Sequence, residues 1–496
     1  MRSSRDGADA VKFRRTRVPF RVEKAAATPA LAKRGGAFHR RPMTAVAAPA
    51  PSLKHPKGLY LLFNVEMWER FSYYGMRAIL ILFLVSKTGG FGMDKQAAGN
   101  LYGWYTASVY LTPLLGGFLA DRVLGTHRAI LIGSVLIASG HFCLAVPSTT
   151  TFYVGLGLII LGTGFHKSNI STMVGQLYTE GDRRRDAAFT IFYMGINTGA
   201  FLGQIICGFL AKSPSYGWHW GFGAAGVGMV IGTVIYATLK RRVLGPIGDV
   251  PAARAGKTDS AGAPANSEPL TVEQKQGIAA IAILAFFNIF FWSAFEQAGS
   301  SMNLFAEEHT RRTFFGWLMP APWFQSINAL TIMVCAPLFA KLWTWLAARG
   351  REPSTPQKFA LSLVLVAAGF VVMVGGALGA DKGAMVSPLW LTGAYVLHTW
   401  GELCLSPVGL SMVTKLAPPR YGSLLMGLWF FSFFLSDKLA GNLSGLVDMV
   451  AEGKLFHLLG GQADFFLIFV IVPLVGAVAL ALLSKTISRL MAGSAA

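Results

Sequence analysis

The sequence predicts an all-α polytopic membrane protein with twelve spanning helices in two six-helix bundles. Three observations carry this. Of its 496 residues 53% are hydrophobic and only 14% are charged, whereas an ordinary soluble domain is about 25% charged. Apolar stretches recur with short breaks, and each reaches the roughly 20 residues that a helix needs to cross a bilayer. A polar stretch at 240–275, rich in Pro, Ala, Gly and charge, separates six of these segments from six more.

The first segment, 59–86, reads LYLLFNVEMWERFSYYGMRAILILFLVS. Its middle carries Glu66, Glu69, Arg70 and Arg77 with Tyr73 and Tyr74. A charge at the bilayer centre costs about 2.5–3.5 kcal/mol on insertion scales, so these groups cannot face lipid. Their spacing follows i, i+3, i+4, i+7, which puts all six on one helical stripe. The opposite face is Leu, Ile, Phe and Met. Such a stripe lines a water-filled cavity or meets opposite charges on neighbouring helices.

The next five spans are read at 98–120, 127–147, 151–173, 187–211 and 219–239. Six more follow at 276–304, 323–347, 358–380, 388–414, 422–447 and 464–489. The organisation expected is a basic tail at 1–57, a first bundle at 58–239, a linker at 240–275, a second bundle at 276–490 and a tail at 491–496.

The tail lacks an apolar signal core, holds many Arg and Lys with few acids, and is expected to be disordered. Three readings of it stand: a basic tail near anionic lipid, an organellar transit peptide, or a leader preceding a true start at Met43. The last is favoured, because MTAVAAPAPSLKHPKGLY is a sufficient polar lead-in.

The formal net charge is +20. In a nucleic-acid-binding protein this charge would form a patch; here it falls in alternate loops. Clusters stand at Arg122/His127/Arg128, Arg183–Arg185, Lys240–Arg242, Lys341/Arg349/Arg351/Lys358, Lys415/Arg420 and Lys485/Arg489. The intervening loops are balanced, as at Asp94/Lys95, Asp381/Lys382 and Asp448/Glu452/Lys454. By the positive-inside rule both termini and the linker lie in the cytoplasm, of an inner (plasma) membrane, which requires an even number of crossings. The cysteines Cys143, Cys207, Cys335 and Cys404 fall in apolar stretches without metal-ligand spacing and are read as buried free thiols. No cofactor, metal or nucleic-acid partner is implied. No nucleophile–base pair or soluble catalytic domain suggests an enzyme.

Two halves of six around a cytoplasmic linker is the layout of the major facilitator superfamily. Residues 116–128, GGFLADRVLGTHR, resemble its G-x-x-x-D-R-x-G-x-R loop between the second and third spans. There Gly117 would let those two helices approach, and Asp121 and Arg122 would pair with each other or with helix ends. More specific matches follow. Residues 66–75, EMWERFSYYG, match the E-x-x-E-R-F-x-Y-Y-G signature of the proton-dependent oligopeptide transporter (POT/PTR) family. GTGFHKSNISTMVGQLY at 162–178, FFWSAFEQAGSS at 290–301 and ELCLSPVGLSMVTKLAP at 402–418 resemble its fourth, seventh and tenth helices. The resemblance covers nearly all of the chain from Lys54 onward. Two departures stand out. The usual K-P-N of the fourth helix is here Lys167-Ser168-Asn169, which removes a kink determinant, and the eleventh carries an unusual Asp437-Lys438.

The resemblance implies a proton-coupled symporter of di- and tripeptides working by alternating access in the lipid bilayer, functional as a monomer. It implies that Arg70 and Lys167 bind the peptide carboxylate and Glu402 its ammonium. Complementarity supplies the reason: Arg presents a planar fork to a carboxylate. Tyr73 and Tyr74 would join Arg70 on the first helix in binding the peptide, and Tyr105, Trp292, Trp429 and Phe430 are candidates for its apolar side-chain pockets or for plain helix packing. Asn197 and Asn328 would bond the peptide backbone or simply join helices. Glu296 is the expected proton carrier, paired with Arg77 when the outside is closed. Glu66, Glu69 and Lys167 would form a second coupling element. His141, His166 and His398 are read as packing or hydrogen-bonding residues, with His166 facing away from Lys167's side. The other readings are a sister solute on the same fold (amino acid, nitrate or peptidomimetic) and a sensor; the retained Glu402 favours peptide.

Overall fold

A computed structural model describes residues 54–179, 182, 184–254, 269–418 and 421–493. The expected disorder and alternative start before Lys54 lie outside the described residues, as do linker residues 255–268, loop residues Glu180, Gly181, Arg183, Pro419 and Arg420, and the last three residues.

Twelve helices of 19 to 33 residues dominate the described chain. The first six are α1 (Lys57–Val85), α2 (Lys95–Leu119), α3 (Thr126–Leu144), α4 (Thr149–Gln176), α5 (Arg184–Lys212) and α6 (Trp218–Val243). After the linker comes α7 (Val272–Phe295), which breaks into a 3-10 turn at Glu296–Gly299 and continues as the short α8 (Ser301–His309). Then follow α9 (Ser326–Ala347), α10 (Thr355–Ala380), α11 (Leu389–Leu416), α12 (Gly422–Ser444), the short α13 (Val447–Ala451) and α14 (Gly461–Gly493). A two-stranded hairpin, β1 (Thr313–Phe314) and β2 (Trp317–Leu318), lies between α8 and α9.

Eight of the long helices are apolar enough to span a membrane on composition alone. The four that fall short are α1, α2, α4 and α11. They carry the inward polar residues: Glu66, Glu69, Arg70 and Arg77; Tyr102, Tyr105 and Tyr110; His166 and Lys167; and Glu402. A spanning helix that lines a polar interior loses average hydropathy on that face while its other face stays apolar.

Local signals set several helix ends. The Asp94 side chain accepts from Ala97 N at 2.8 Å and caps α2. Thr271 with Gln274 and Ser354 with Gln357 form capping boxes at α7 and α10. The linker does not leave the bundle at once. Gly248 O accepts from His127 N at 3.0 Å, Asp121 O accepts from Ala253 N at 3.1 Å, and Lys240 pairs with Asp249. Residues 244–254 therefore bind back to the loop between α2 and α3.

Within the first half, α1 packs on α5 and α6, α3 on α4 and α6, and α2 on α4. Within the second, α10 packs on α11 and α14, and α7 on α12 and α14. The halves meet chiefly where α2 lies on α12 and α5 on α9. With an even number of crossings, the two described chain ends share one face of the molecule, called here the terminal side. Described polar links between halves sit at mid-depth or on the opposite, far side. Lys95 bridges Glu308 and Asp448 at 2.8 and 3.0 Å, Lys212 meets Glu307 at 2.6 Å, and Asn303 donates to Ala78 O at 2.8 Å. The far side is sealed in this conformation.

Glycines make that seal possible. A Cβ on Gly103 would lie 2.9 Å from Gly441 Cα and 3.2 Å from Lys438 O, so α2 and α12 touch backbone to backbone. At 116–117 the sequence expectation needs correcting. Gly116, not Gly117, is the contact residue, and it abuts α4 rather than α3: its Cβ would stand 2.8 Å from Phe165 N. On Gly117 the nearest atom would be Ser168 Oγ at 3.5 Å, an ordinary contact. Helical phase decides this, because adjacent residues point about 100° apart. Gly116→Ala should therefore destabilise the protein by about 1–3 kcal/mol, the usual cost of overpacking. Gly117→Ala should leave the unfolding midpoint in detergent unchanged. Equal midpoints for the two variants would contradict this packing.

Candidate functional site

A cavity at mid-depth lies between the halves. Its wall includes Tyr74, Arg77, Tyr110 and Gln204 from the first half. The second half contributes Trp292, Glu296, Gln325, Asn328, Tyr395, His398, Thr399 and Glu402. A wider apolar groove of about 700 Å³, lined by Trp68, Phe142 and Trp220 among others, opens on the outside of the first bundle and offers little polar chemistry.

Arg77 and Glu296 form an ion pair across the cavity, one partner from each bundle. Arg77 Nε also donates to Tyr102 OH at 2.8 Å. Both charged residues are buried. Glu296 stands where α7 breaks, and the break is itself pinned: Gln297 donates to Ala440 O on α12 at 3.0 Å, and Ser301 donates to Gln297 Oε1 at 2.6 Å. A buried pair of this kind survives because each charge meets the other; loss of either partner is expensive, about 3–5 kcal/mol.

The polar stripe of α1 turns inward as its periodicity requires. Glu66, Glu69, Arg70, Tyr73 and Arg77 are all buried. Arg70 Nε lies 2.8 Å from Glu66 and 2.5 Å from Glu69. Arg70 Nη2 has no partner among the described residues, so one arm of its fork stays open. The expected partnership of Glu66 and Glu69 with Lys167 is absent here. Lys167 Nζ sits instead over the Tyr110 ring, 3.9 Å from its centroid, while Arg70 occupies both glutamates. Arg70 wins because it shares α1 with them at i−1 and i−4 spacing, whereas Lys167 must reach from α4. The Pro-to-Ser departure also finds its account. α4 runs unbroken through Ser168, whose hydroxyl donates to Pro113 O on α2 at 3.4 Å, and Asn169 donates to Phe165 O at 2.8 Å.

Across the cavity, Glu402 accepts from Asn328 Nδ2 at 2.9 Å, and the same amide nitrogen donates to Thr399 at 3.0 Å. Asn328 thus orients a carboxylate as well as facing the cavity. Asn197 donates to Tyr193 O within its own helix at 2.9 Å and is not in the cavity wall described above. Trp292 lines the cavity and packs on Phe295 and Phe433, with centroids at 5.0 and 5.1 Å. Tyr73, Tyr105 and Trp429 stand behind the wall rather than in it. Trp429 is a packing residue against Phe359 and Phe433, and Phe430 packs on Phe433. In the loop after α2, Ala120–Leu124 forms a π-helical turn in which Arg122 lies over the Phe118 ring at 4.5 Å.

The sequence reading missed several groups. Tyr102, Tyr110, Gln204, Gln325 and Thr399 carried no motif signal, being single polar residues on apolar helices. Lys438 finds Asn100 at 2.5 Å and Asn442 at 2.8 Å. Asp437 is buried and within electrostatic range of Arg77 and Lys167. Taken together, the cavity wall sets one cation of the first half, Arg77, against two carboxylates of the second, Glu296 and Glu402, while Arg70 and Lys167 are not in that wall.

Comparison with known proteins agrees with this geometry. The model of the POT family matches residues 127–246 and 258–458. The chain is 39% identical over 461 residues to the peptide transporter YePEPT of Yersinia enterocolitica, covering 79% of this chain and 88% of that protein. It is 33% identical over 493 residues to the di-/tripeptide transporter of Lactococcus lactis subsp. cremoris, covering 88% and 96%. A crystal structure of the peptide transporter POT in complex with sulfate superposes with a TM-score of 0.78 at 35% identity, covering 89% of this chain and 97% of that one. The family model alone covers more than half of the sequence, and each relative spans more than three quarters of it: this chain is a member of the POT family.

Proposed function

We propose that this protein is a proton-coupled symporter that imports di- and tripeptides by alternating access. The observation that carries this reading is the buried Arg77–Glu296 ion pair, which joins the two bundles across a cavity that the carboxylate of Glu402 also lines. A short peptide is a zwitterion. The open arm of Arg70 and the unpaired ammonium of Lys167 suit its carboxylate. Glu402, held by Asn328, suits its ammonium. Recognition of ends rather than side chains fits broad peptide selectivity.

Coupling follows from the same charges. With the far side sealed, Arg77 and Glu296 neutralise each other. A proton on Glu296 removes one charge, weakens the inter-bundle link and favours separation on the far side. Loss of that proton restores the pair. Glu66, Glu69 and Arg70 form the second element: a peptide carboxylate on Arg70 and Lys167 competes with the glutamates for positive charge. One proton crossing 100 mV supplies about 2.3 kcal/mol. At about 1.4 kcal/mol per decade this accumulates a neutral substrate roughly 50-fold.

The orientation that fits is both termini and the linker in the cytoplasm of the inner (plasma) membrane, by the positive-inside rule. The far side is then external, and it is the side that the inter-bundle ion pairs hold closed. One chain builds the whole cavity, which supports action as a monomer. A transporter of this kind is not an enzyme, and its reaction needs only peptide and proton as partners, with no cofactor.

In proteoliposomes, labelled dialanine should accumulate only under an inward proton gradient; equal uptake with an uncoupler present would refute symport. Glu296→Gln should abolish gradient-driven uptake while sparing peptide counterflow, and loss of both would remove Glu296 as the carrier. Glu402→Gln should weaken dialanine binding about 10–100-fold, the equivalent of a charge-assisted hydrogen bond of roughly 1.5–3 kcal/mol. A dipeptide with a blocked amino terminus should suffer no further loss. Equal loss for both ligands would mean that Glu402 does not read the ammonium.

A further inference from the structure

His166 lies on α4 immediately before Lys167, yet the two side chains serve different surroundings. Lys167 is over Tyr110 of α2. His166 is 0% exposed, and neither ring nitrogen has a hydrogen-bond partner among the described residues. The remaining oxygens of the α1 glutamates are in the same condition. Glu66 Oε2 and Glu69 Oε1 are buried without hydrogen bonds, their partner oxygens being those nearest Arg70. Ligand atoms of Glu66, Glu69 and His166 all lie within 4.8 Å of one another.

Buried polar atoms left without partners cost about 1–3 kcal/mol each and call for an explanation. His141 and His398 are also buried without ring partners. Among the described residues only His166 belongs to a cluster with two or more carboxylates. Packing alone leaves these four atoms, two on the glutamates and two on the imidazole, without a hydrogen bond. An added proton supplies one more donor to the cluster, since a glutamic acid donates to a neutral imidazole nitrogen, or an imidazolium donates to a glutamate.

We infer that His166 is the third proton-holding partner of the Glu66–Glu69 pair, sharing with it the proton bound at this end of the site. This rests on the symport reading above and deepens it. The added proton sits on Glu66 or Glu69, or passes to the His166 ring with the carboxylate reformed. No other atom changes hands. The charged groups around it are Glu66, Glu69 and Arg70 from α1 and Lys167 from its own helix, while α3 packs on it through Gly133. A neutral imidazole nitrogen beside the pair can accept a hydrogen bond from a protonated glutamate, which favours the proton-bound form of the cluster. Removing that nitrogen makes the proton-bound form rarer at a given pH.

The test uses full-length protein in proteoliposomes, with dialanine as the substrate and two variants. His166→Phe keeps an aromatic volume without a base, and His166→Gln keeps polarity without a base. Gradient-driven uptake and counterflow are measured between pH 5 and 8. In both variants the alkaline limb of gradient-driven uptake should move to lower pH by at least half a unit, about a threefold change in proton concentration, with counterflow much less affected. Wild-type profiles superposed on the variants overturn the inference. Loss of counterflow in both variants also overturns it, since that outcome assigns His166 to packing or to the peptide site. Failure of the wild type to couple uptake to protons would instead refute the symport reading itself.

Discussion

The structure depends on one constraint: opposite charges must be held in a buried space between two bundles without being lost to water or to each other's helices. The Arg77–Glu296 pair is its clearest expression. Each partner comes from a different half, and neither is satisfied by its own bundle alone. Tyr102 holds the guanidinium, and the interruption of α7 sets the carboxylate at the right depth. Because desolvation makes a lone charge here so costly, the pair binds the two bundles to each other by charge as well as by packing.

Around that pair the site is built with spare valence rather than full satisfaction. Arg70 binds two glutamates through one nitrogen and leaves another open. Lys167 rests on an aromatic face instead of a carboxylate. Such a contact is worth about 0.5–2 kcal/mol and is easily exchanged for a stronger anion. Glu402 accepts from a neutral amide and has no ion-pair partner among the described residues. The far-side links between Lys95, Glu308 and Asp448 and between Lys212 and Glu307 are more exposed, and each is correspondingly weaker. A seal made from weak surface pairs and a backbone-to-backbone glycine contact can open without breaking a core.

Much of the architecture was legible in the sequence because the bilayer imposes a strong code. Length and apolarity mark the spans, and the periodicity of Glu66, Glu69, Arg70, Tyr73 and Arg77 marks one face of α1 as inward. The signatures around Glu66, Lys167, Glu296 and Glu402 placed the principal charges. Periodicity places residues on a face of their own helix but does not say what lies opposite. For that reason Arg70 rather than Lys167 holds the glutamates, Gly116 rather than Gly117 makes the close contact, and Asn328 bonds Glu402. His166 is the sharpest case. It stands beside Lys167 in the sequence and yet faces the carboxylates of α1.

The sequence by itself determined the membrane-spanning class, the division into six and six helices, and the inventory of charges that cannot face lipid. These follow from hydropathy and helical spacing, both local properties of the chain. Only the tertiary structure decided which charges meet, which are left open, and which side of the molecule is closed. Those outcomes depend on distances of a few ångströms between helices far apart in the chain, and buried electrostatics changes steeply over such distances.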